Sequence, residues 1–306
     1  MALASPPPPR VSVVLPTYNR RQTLGAAIES VRRQSFTDWE LLLVDDGSSD
    51  GTTTWAEGLN EPRLRLIALE RNRGAAAARN AGISSARGAY VAFLDSDDAW
   101  TPDKLSRQIA ALDAAPEFGV SCTGVHLHLL DHGVTRLLRP RQPSNWAEAL
   151  ALGCELSPGS TQVTRRREFE RVGLMDETLP RFEDWDWLFR YTRDAEILLL
   201  PEPFAHVYHR RGRMGEAVAL STERYFAKHA AAYAALPAQL RRKAVADAWL
   251  QVVANYGFEG RYAAAFPPFL RAARLRPLVS VLRAGRGLAY ALRGRLLRAV
   301  SGARRA

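Results

Sequence analysis

The stretch FLDSDDAW, Phe93 to Trp100, sets Asp95, Asp97 and Asp98 within four residues directly behind a run of apolar chain. Like charges packed this closely are unfavourable unless a cation or a set of donors neutralises them, and three carboxylates exceed what a turn requires. An all-oxygen cluster suits Mg²⁺ or Mn²⁺, which take few protein carboxylates and complete their shells with water and phosphate oxygens, so a diphosphate is the natural companion. A second acidic stretch, VDDGSSDGT, brings Asp45 and Asp46 into a turn. Either these aspartates only cap the turn and the following helix, or they accept hydrogen bonds from a nucleobase N–H or a ribose hydroxyl. In RNRGAAAARNAG, Arg73 and Arg79 could reach phosphates or the acidic residues as charge-assisted donors, or serve structural salt bridges. A third acidic stretch, FEDWDWLFR, reads as the start of an amphipathic helix, with Trp185, Trp187, Leu188 and Phe189 inside and Glu183, Asp184 and Asp186 solvated or capping.

The elements that must hold these residues alternate. VSVVLPTYN starts as a buried strand, WELLLVDD and RLRLIAL follow as the second and third, and AYVAFLDSDD is the fourth. Helical spacing separates them: Leu24, Ala27, Ile28 and Val31 in the first interval, a short start at Thr52, and an alanine-rich stretch after Gly74. Strands alternating with helices predict an α/β fold whose mostly parallel sheet is flanked by helices. Ligands of such sheets bind beyond the carboxyl ends of the strands, so Tyr18 and Asn19, Asp45 and Asp46, and Asp95 to Asp98 are expected on one rim. Residues 99–203 read as mixed α/β, with a helix over 102–114 and a strand around 120–130. From Thr222 the pattern is helical and predicts a C-terminal helical appendage, in which Gly257 and Gly260 mark a turn and Pro277 a stop. The domains expected are a disordered proline-rich leader at 1–9, a catalytic domain at 10–220 and a helical basic region at 221–306. Within the catalytic domain, 10–100 is the nucleotide-binding half and 101–220 the acceptor half.

Composition narrows the class. The chain has 306 residues, 47% hydrophobic and 24% charged, enough for a full core. Its net charge of +10 is concentrated: residues 261–306 hold 11 Arg and no Lys, Asp or Glu, leaving 31 basic against 32 acidic side chains before them. A nucleic-acid partner is not expected, since a basic reading surface with stacking aromatics or a known motif is not evident. Cys122 and Cys154 give neither metal spacing nor a disulfide framework, which fits a reducing compartment. MALASPPPPR lacks the basic and apolar regions of a signal peptide, and no apolar run approaches the roughly 18–20 residues of a membrane span. A cytoplasmic protein is expected. There is no G-x-x-x-x-G-K-[ST], and RGAAAARNAG lacks the dinucleotide fingerprint, so neither a P-loop nor a nicotinamide site is supported.

Taken in order, VSVVLPTYNR, VDDGSSDGT, RGAAAARNAG, FLDSDD with Trp100, Pro102 and Lys104 after it, and FEDWDWLFR resemble the inverting nucleotide-sugar glycosyltransferases of family two, which have the GT-A fold, over about residues 10–210. The resemblance implies that Pro16, Thr17, Tyr18 and Asp46 hold the nucleoside, with Asp45 beside them. It makes Asp95 and Asp97 the family's DxD motif, with Asp97 on ribose or metal and Asp98 sharing the metal. The general base falls at the ED dipeptide, Asp184 with Glu183 as its neighbour. An inverting transfer needs one such carboxylate to take the acceptor hydroxyl proton, while the metal neutralises the leaving diphosphate. In VYHRRGRMG, a loop position that closes over nucleotide in such enzymes, His209, Arg210 and Arg211 are the candidates near the pyrophosphate. The donor implied is UDP- or dTDP-linked sugar, and the acceptor a saccharide or lipid-linked saccharide of cell-surface glycan assembly.

If residues 278–300 are helical, Leu278, Val281, Leu282, Leu288, Leu292, Leu296 and Val300 fall on one side and most arginines on the other. Such a helix suits an anionic membrane surface, which would make the protein peripheral at the inner face of the membrane. Alternatively, the apolar stripe packs on the catalytic domain. Two rival functions remain: a nucleotidyltransferase, disfavoured because its glycine- and lysine-rich activation loop is missing, and a catalytically silent polyanion- or membrane-binding protein that uses the tail.

Overall fold

The computed structural model describes residues 7–210 and 212–282. Arg211, most of the expected leader and the basic tail from 283 onward lie outside them. The chain divides into two units. One comprises residues up to 150 together with 154–177 and 183–210, and the other comprises 151–153, 178–182 and the residues from 211.

The first unit opens with β1 (Val11–Thr17), α1 (Arg21–Arg32), β2 (Trp39–Asp45), α2 (Thr52–Glu57), β3 (Leu64–Ala68), α3 (Ala75–Ser85) and β4 (Tyr90–Phe93). Every residue of β1, β2 and β4 is buried. Their continuous apolar runs, rather than alternation, follow from helices covering both faces. There follow β5 (Ala99–Trp100), α4 (Lys104–Ala114), β6 (Val120–Leu129), β7 (Val134–Leu138), α5 (Trp146–Leu152), α6 (Pro158–Thr161), β8 (Val163–Arg165), α7 (Arg167–Val172), α8 (Glu183–Tyr191) and β9 (Ile197–His209).

All nine strands form one sheet in the order β3-β2-β1-β4-β8-β6-β9-β5, with β7 on the far part of β6. The first four are parallel, Val14 lying beside Leu42 on one side and Phe93 on the other. Because β2 and β4 leave β1 in opposite directions, the crevice at the carboxyl end of β1 is the topological switch point, where ligands of such sheets bind. Beyond β4 the sheet is mixed. β8 is antiparallel to β4 and β6, β6 is parallel to β9, and the two-residue β5 is antiparallel to β9. The parallel order expected from the sequence therefore belongs to the first hundred residues. Leu24, Ile28 and Val31 of α1 and Leu105, Ile109 and Leu112 of α4 share one core cluster with Val13, Leu41, Leu43 and Ala92.

The second unit is helical: α9 (Gly215–Lys228), α10 (Ala230–Ala235), α11 (Ala238–Phe258) and α12 (Tyr262–Leu275). Its core joins Val218, Ala246, Trp249, Val252, Tyr256 and Ala265. The turn between α11 and α12 closes at Gly260, whose φ is 75°, and α12 ends just before Pro277, which disfavours helical backbone in the residue it follows. Among the described residues, no helix is long and apolar enough to cross a membrane.

Candidate active site

The first corner of the site joins the ends of β1 and β2. The Asp46 N–H donates to the Thr17 carbonyl at 2.9 Å, and Asn19, in left-handed backbone at φ 51°, donates its N–H to Ser48 Oγ at 2.8 Å and accepts the Ser49 N–H at 2.8 Å. The tight turn of VDDGSSDGT rests on Gly47. Its φ is 71°, and a Cβ there would lie 2.6 Å from the Arg71 backbone. Asp45 is fully buried and committed to the turn, accepting from Ser48 N–H and Oγ–H at one oxygen and from the Thr53 hydroxyl at the other. Asp46 instead reaches across to the loop before α3, where its two oxygens accept the N–H groups of Arg73 and Gly74, both at 2.8 Å. Burial pushes the Asp46 carboxyl above its ordinary value, although those two N–H groups oppose the rise. Beside it, the buried Thr17 hydroxyl oxygen has no hydrogen-bond partner, and Tyr18 is 45% exposed. Pro16 is buried in β1 opposite Val44.

The second corner is the acidic turn after β4. Asp98 is buried, and both its oxygens are engaged: one accepts the Ser160 hydroxyl at 2.5 Å, the other the Tyr208 N–H at 2.9 Å. The Ser160 oxygen also accepts the Asp95 N–H at 3.1 Å, and the Ser160 carbonyl accepts the Trp100 indole N–H at 2.7 Å. One residue of α6 thus shapes the whole turn. Asp95 and Asp97 are more open, each with a side chain 37% exposed, and Arg20 approaches Asp97 at 3.5 Å. Burial, followed by the charges of Asp95 and Asp97, lifts the Asp98 carboxyl to about 8, despite its two donors.

This turn fits a divalent cation. The donor set is all oxygen, and the neighbouring charges of Asp95 and Asp97, which add to burial in raising the Asp98 carboxyl, are charges a cation would offset. Among the described residues, no three His, Cys, Asp or Glu side chains form a ready metal cage. An Mg²⁺ or Mn²⁺ ion commonly takes one or two carboxylates and completes its shell with water and phosphate, and Asp97 and Asp98 are the candidates here.

The third corner is the start of α8, with Asp184 and Glu183 in its first turn and Phe182, at φ 71°, immediately before it. Non-glycine residues in left-handed backbone persist only where their surroundings impose it, and they cluster at functional sites. Arg79, expected to reach either phosphates or the acidic residues, does the latter. Its guanidinium is buried and pairs with Asp95 at 2.5 Å through Nη2 and with Glu183 through Nη1. Burial works against this charge, but Asp95, Glu183 and Asp184 outweigh it and raise the guanidinium pKa. Asp184 also lies close enough to push the thiols of Cys122 and Cys154 further up, beyond the larger effect of burial; Cys122 is driven to about 12. Both thiols are therefore protonated and inert. Arg73 pairs at 2.9 Å with Glu177 on the surface.

Of the later candidates, His209 ends β9 and is exposed, while Arg211 lies outside the described residues. Three other histidines build a ladder on β6 and β9: His126 stacks on His206 at 4.7 Å, His206 on His128 at 5.2 Å, and His128 on Tyr208 at 4.5 Å. Burial and the two neighbouring imidazoles lower the His206 pKa. Sequence patterns did not point to Ser160, Gly159 or the Tyr208 N–H; nothing in SPGST suggests that it braces an acidic turn some 60 residues earlier.

A family model described as glycosyl transferase family 2 matches residues 12–149. The chain is 43% identical over 102 residues to UDP-Glc:alpha-D-GlcNAc-diphosphoundecaprenol beta-1,3-glucosyltransferase WfgD of Escherichia coli, covering 33% of this chain and 40% of that protein. It is 48% identical over 107 residues to the succinoglycan biosynthesis protein ExoO of Rhizobium meliloti, covering 35% and 31% respectively. Against the amylovoran biosynthesis glycosyltransferase AmsB of Erwinia amylovora the identity is 27% over 214 residues, covering 67% of this chain and 71% of that protein. The chain thus spans well under half the length of the first two relatives. Among solved structures, S. aureus TarS 1-349 in complex with UDP-GlcNAc superposes with a TM-score of 0.58 at 19% identity, over 87% of this chain and 91% of that one. That likeness establishes the fold as GT-A.

Proposed function

Because residues 12–149 belong to glycosyl transferase family 2, we propose that the protein is an inverting glycosyltransferase that moves a sugar from a nucleoside diphosphate donor to a saccharide or lipid-linked saccharide in cell-surface glycan assembly. The observation that carries this reading is the single network joining the acidic turn at Asp95–Asp98 to the start of α8 at Glu183 and Asp184. A donor site and a base then stand at opposite ends of one buried arginine.

In this reading, the unpartnered Thr17 hydroxyl, with Pro16, Tyr18 and Asp46, receives the nucleoside, while Asp45 keeps the turn beneath it in shape. Asp97 and Asp98 would hold a Mg²⁺ or Mn²⁺ ion, which would supply Lewis-acid neutralisation of charge on the leaving diphosphate. His209 and Arg211 serve the pyrophosphate. Asp184 takes the proton from the acceptor hydroxyl as that oxygen attacks the anomeric carbon from the face opposite the diphosphate. The first hundred residues bind nucleotide, and the next 120 meet the acceptor. UDP is the favoured nucleotide and dTDP the second, in keeping with the UDP-glucose in the name of the Escherichia coli relative and the UDP-GlcNAc bound to TarS. A lipid-linked acceptor is in keeping with the diphosphoundecaprenol in the former name. It also accords with a cytoplasmic protein held at the inner face of the membrane by its basic tail.

The test is a thermal-shift panel of nucleoside diphosphates and nucleotide sugars with and without Mn²⁺, since a ligand that binds only the folded state raises Tm. A Mn²⁺-dependent rise with UDP or dTDP sugars is expected. If no nucleotide shifts Tm, the transferase reading fails and tail-driven binding takes its place.

A further inference from the structure

We propose that Arg79 is a positioning residue that locks the acidic donor-side turn to the helix carrying Asp184, and that Gly159 is the gap that lets this lock close. The inference rests on the reading of Asp184 as the base. Its support is geometric. The two terminal nitrogens of one guanidinium serve two different carboxylates: Nη2 holds Asp95 and Nη1 holds Glu183, partners 16 and 104 residues away in sequence. Asp95 lies two residues before Asp97, and Glu183 directly precedes Asp184. The guanidinium is planar and stiff, so each bond fixes the direction of the other, which a flexible ammonium cannot do. Asp184 belongs to the same helical turn as Glu183 and follows its placement.

An arginine meant for phosphate would leave its fork free, whereas this one is 4% exposed with both branches engaged. It is also packed from above by backbone. A Cβ at Gly159 would run into Asp95 Oδ2 and lie 3.0 Å from Arg79 Nη2, so α6 touches the ion pair through a residue without a side chain. The next residue, Ser160, holds both the Asp95 N–H and the Asp98 carboxyl. Arg79, Asp95, Ser160 and Glu183 therefore form one rigid piece, and the distance from donor to base is built into it. Misplacing reacting groups by about 1 Å can cost about 100-fold in rate.

The test uses the full chain and the variants Arg79→Lys, Arg79→Met and Gly159→Ala. Donor affinity is measured by calorimetry with UDP and Mn²⁺, and turnover by release of nucleoside diphosphate from the nucleotide sugar that the wild type consumes. Expected are UDP affinities within about 3-fold of wild type, with kcat reduced about 100-fold in both Arg79 variants and about 10-fold in Gly159→Ala, at little changed KM. The lysine variant keeps the charge, so its failure to restore kcat separates the fork's geometry from mere neutralisation. Should Arg79→Met not fold, Arg79→Lys and Gly159→Ala decide the matter. The inference is overturned if Arg79→Lys or Gly159→Ala retains wild-type kcat, or if the variants lose UDP affinity while kcat holds, which would make Arg79 a donor contact. A wild type that neither binds UDP nor consumes any nucleotide sugar removes the transferase reading itself, and this inference with it.

Discussion

Asp184→Asn keeps the shape of the side chain and removes the basic oxygen that the proposed transfer requires. UDP affinity should stay within about 2-fold, while transfer falls by about 100- to 10,000-fold, the usual contribution of a general base; calorimetry and a nucleotide-release assay measure the two quantities. Asp97→Asn acts at the other end, and in titrations with UDP it should abolish the part of the affinity that depends on Mn²⁺. Lys104 supplies a stability prediction. It is fully buried, its ammonium has no hydrogen-bond partner, and it sits 4.2 Å over the Trp100 ring. Burial draws its pKa from 10.5 down to about 7. Between those values the unfolded chain binds more protons than the folded one, so stability climbs with pH across that window, and the full penalty is present below it. Lys104→Met should raise stability by on the order of a few kcal/mol at about pH 6, with the gain fading toward about pH 10, as read by urea unfolding. Asp97 could be singled out in the sequence because three acids behind an apolar run exceed what a turn needs, whereas Asp184 was marked only by the resemblance to family two. The partners of Arg79 could not, because an ion pair across 104 residues leaves no local pattern.

At the scale of elements, Gly47 bears the most on the site. A side chain there meets both a φ of 71° and the Arg71 backbone, so Gly47→Ala must move the loop that supplies the Arg73 and Gly74 N–H groups to Asp46. A loss of more than about 1 kcal/mol in urea unfolding and a weaker UDP affinity are expected together. A substitution that affected stability alone would separate the turn from the nucleotide site. The four parallel strands and the helices between them were legible from runs such as VSVVLP and ELLLVD, whose lack of alternation reflects burial on both faces. β5 and β8 were not, since two or three residues carry no period, and they exist only through pairing with β9, β4 and β6. The acidic turn was visible in sequence for its charge, but its support from α6 and β9 was not.

For the whole molecule, the relevant quantity is where the charge lies. Residues 261–306 carry 11 arginines and no acid, and each arginine near an anionic bilayer contributes on the order of 1 kcal/mol. Deleting residues from 278 onward should free the protein from anionic vesicles in a sedimentation assay and leave UDP affinity unchanged. Equal sedimentation of both forms would assign the vesicle contact elsewhere. The connectivity of the first unit also has a consequence for how the protein is made. β1 to β4 close within the first hundred residues, but Glu183 is synthesised 88 residues after Asp95, and β9, which brings the Tyr208 N–H to Asp98, later still. At about 5–20 residues per second that gap lasts on the order of 4–18 s. A nascent chain can therefore raise its nucleotide-binding sheet while still on the ribosome, but Arg79 waits for its second carboxylate until nearly all of the unit has been translated.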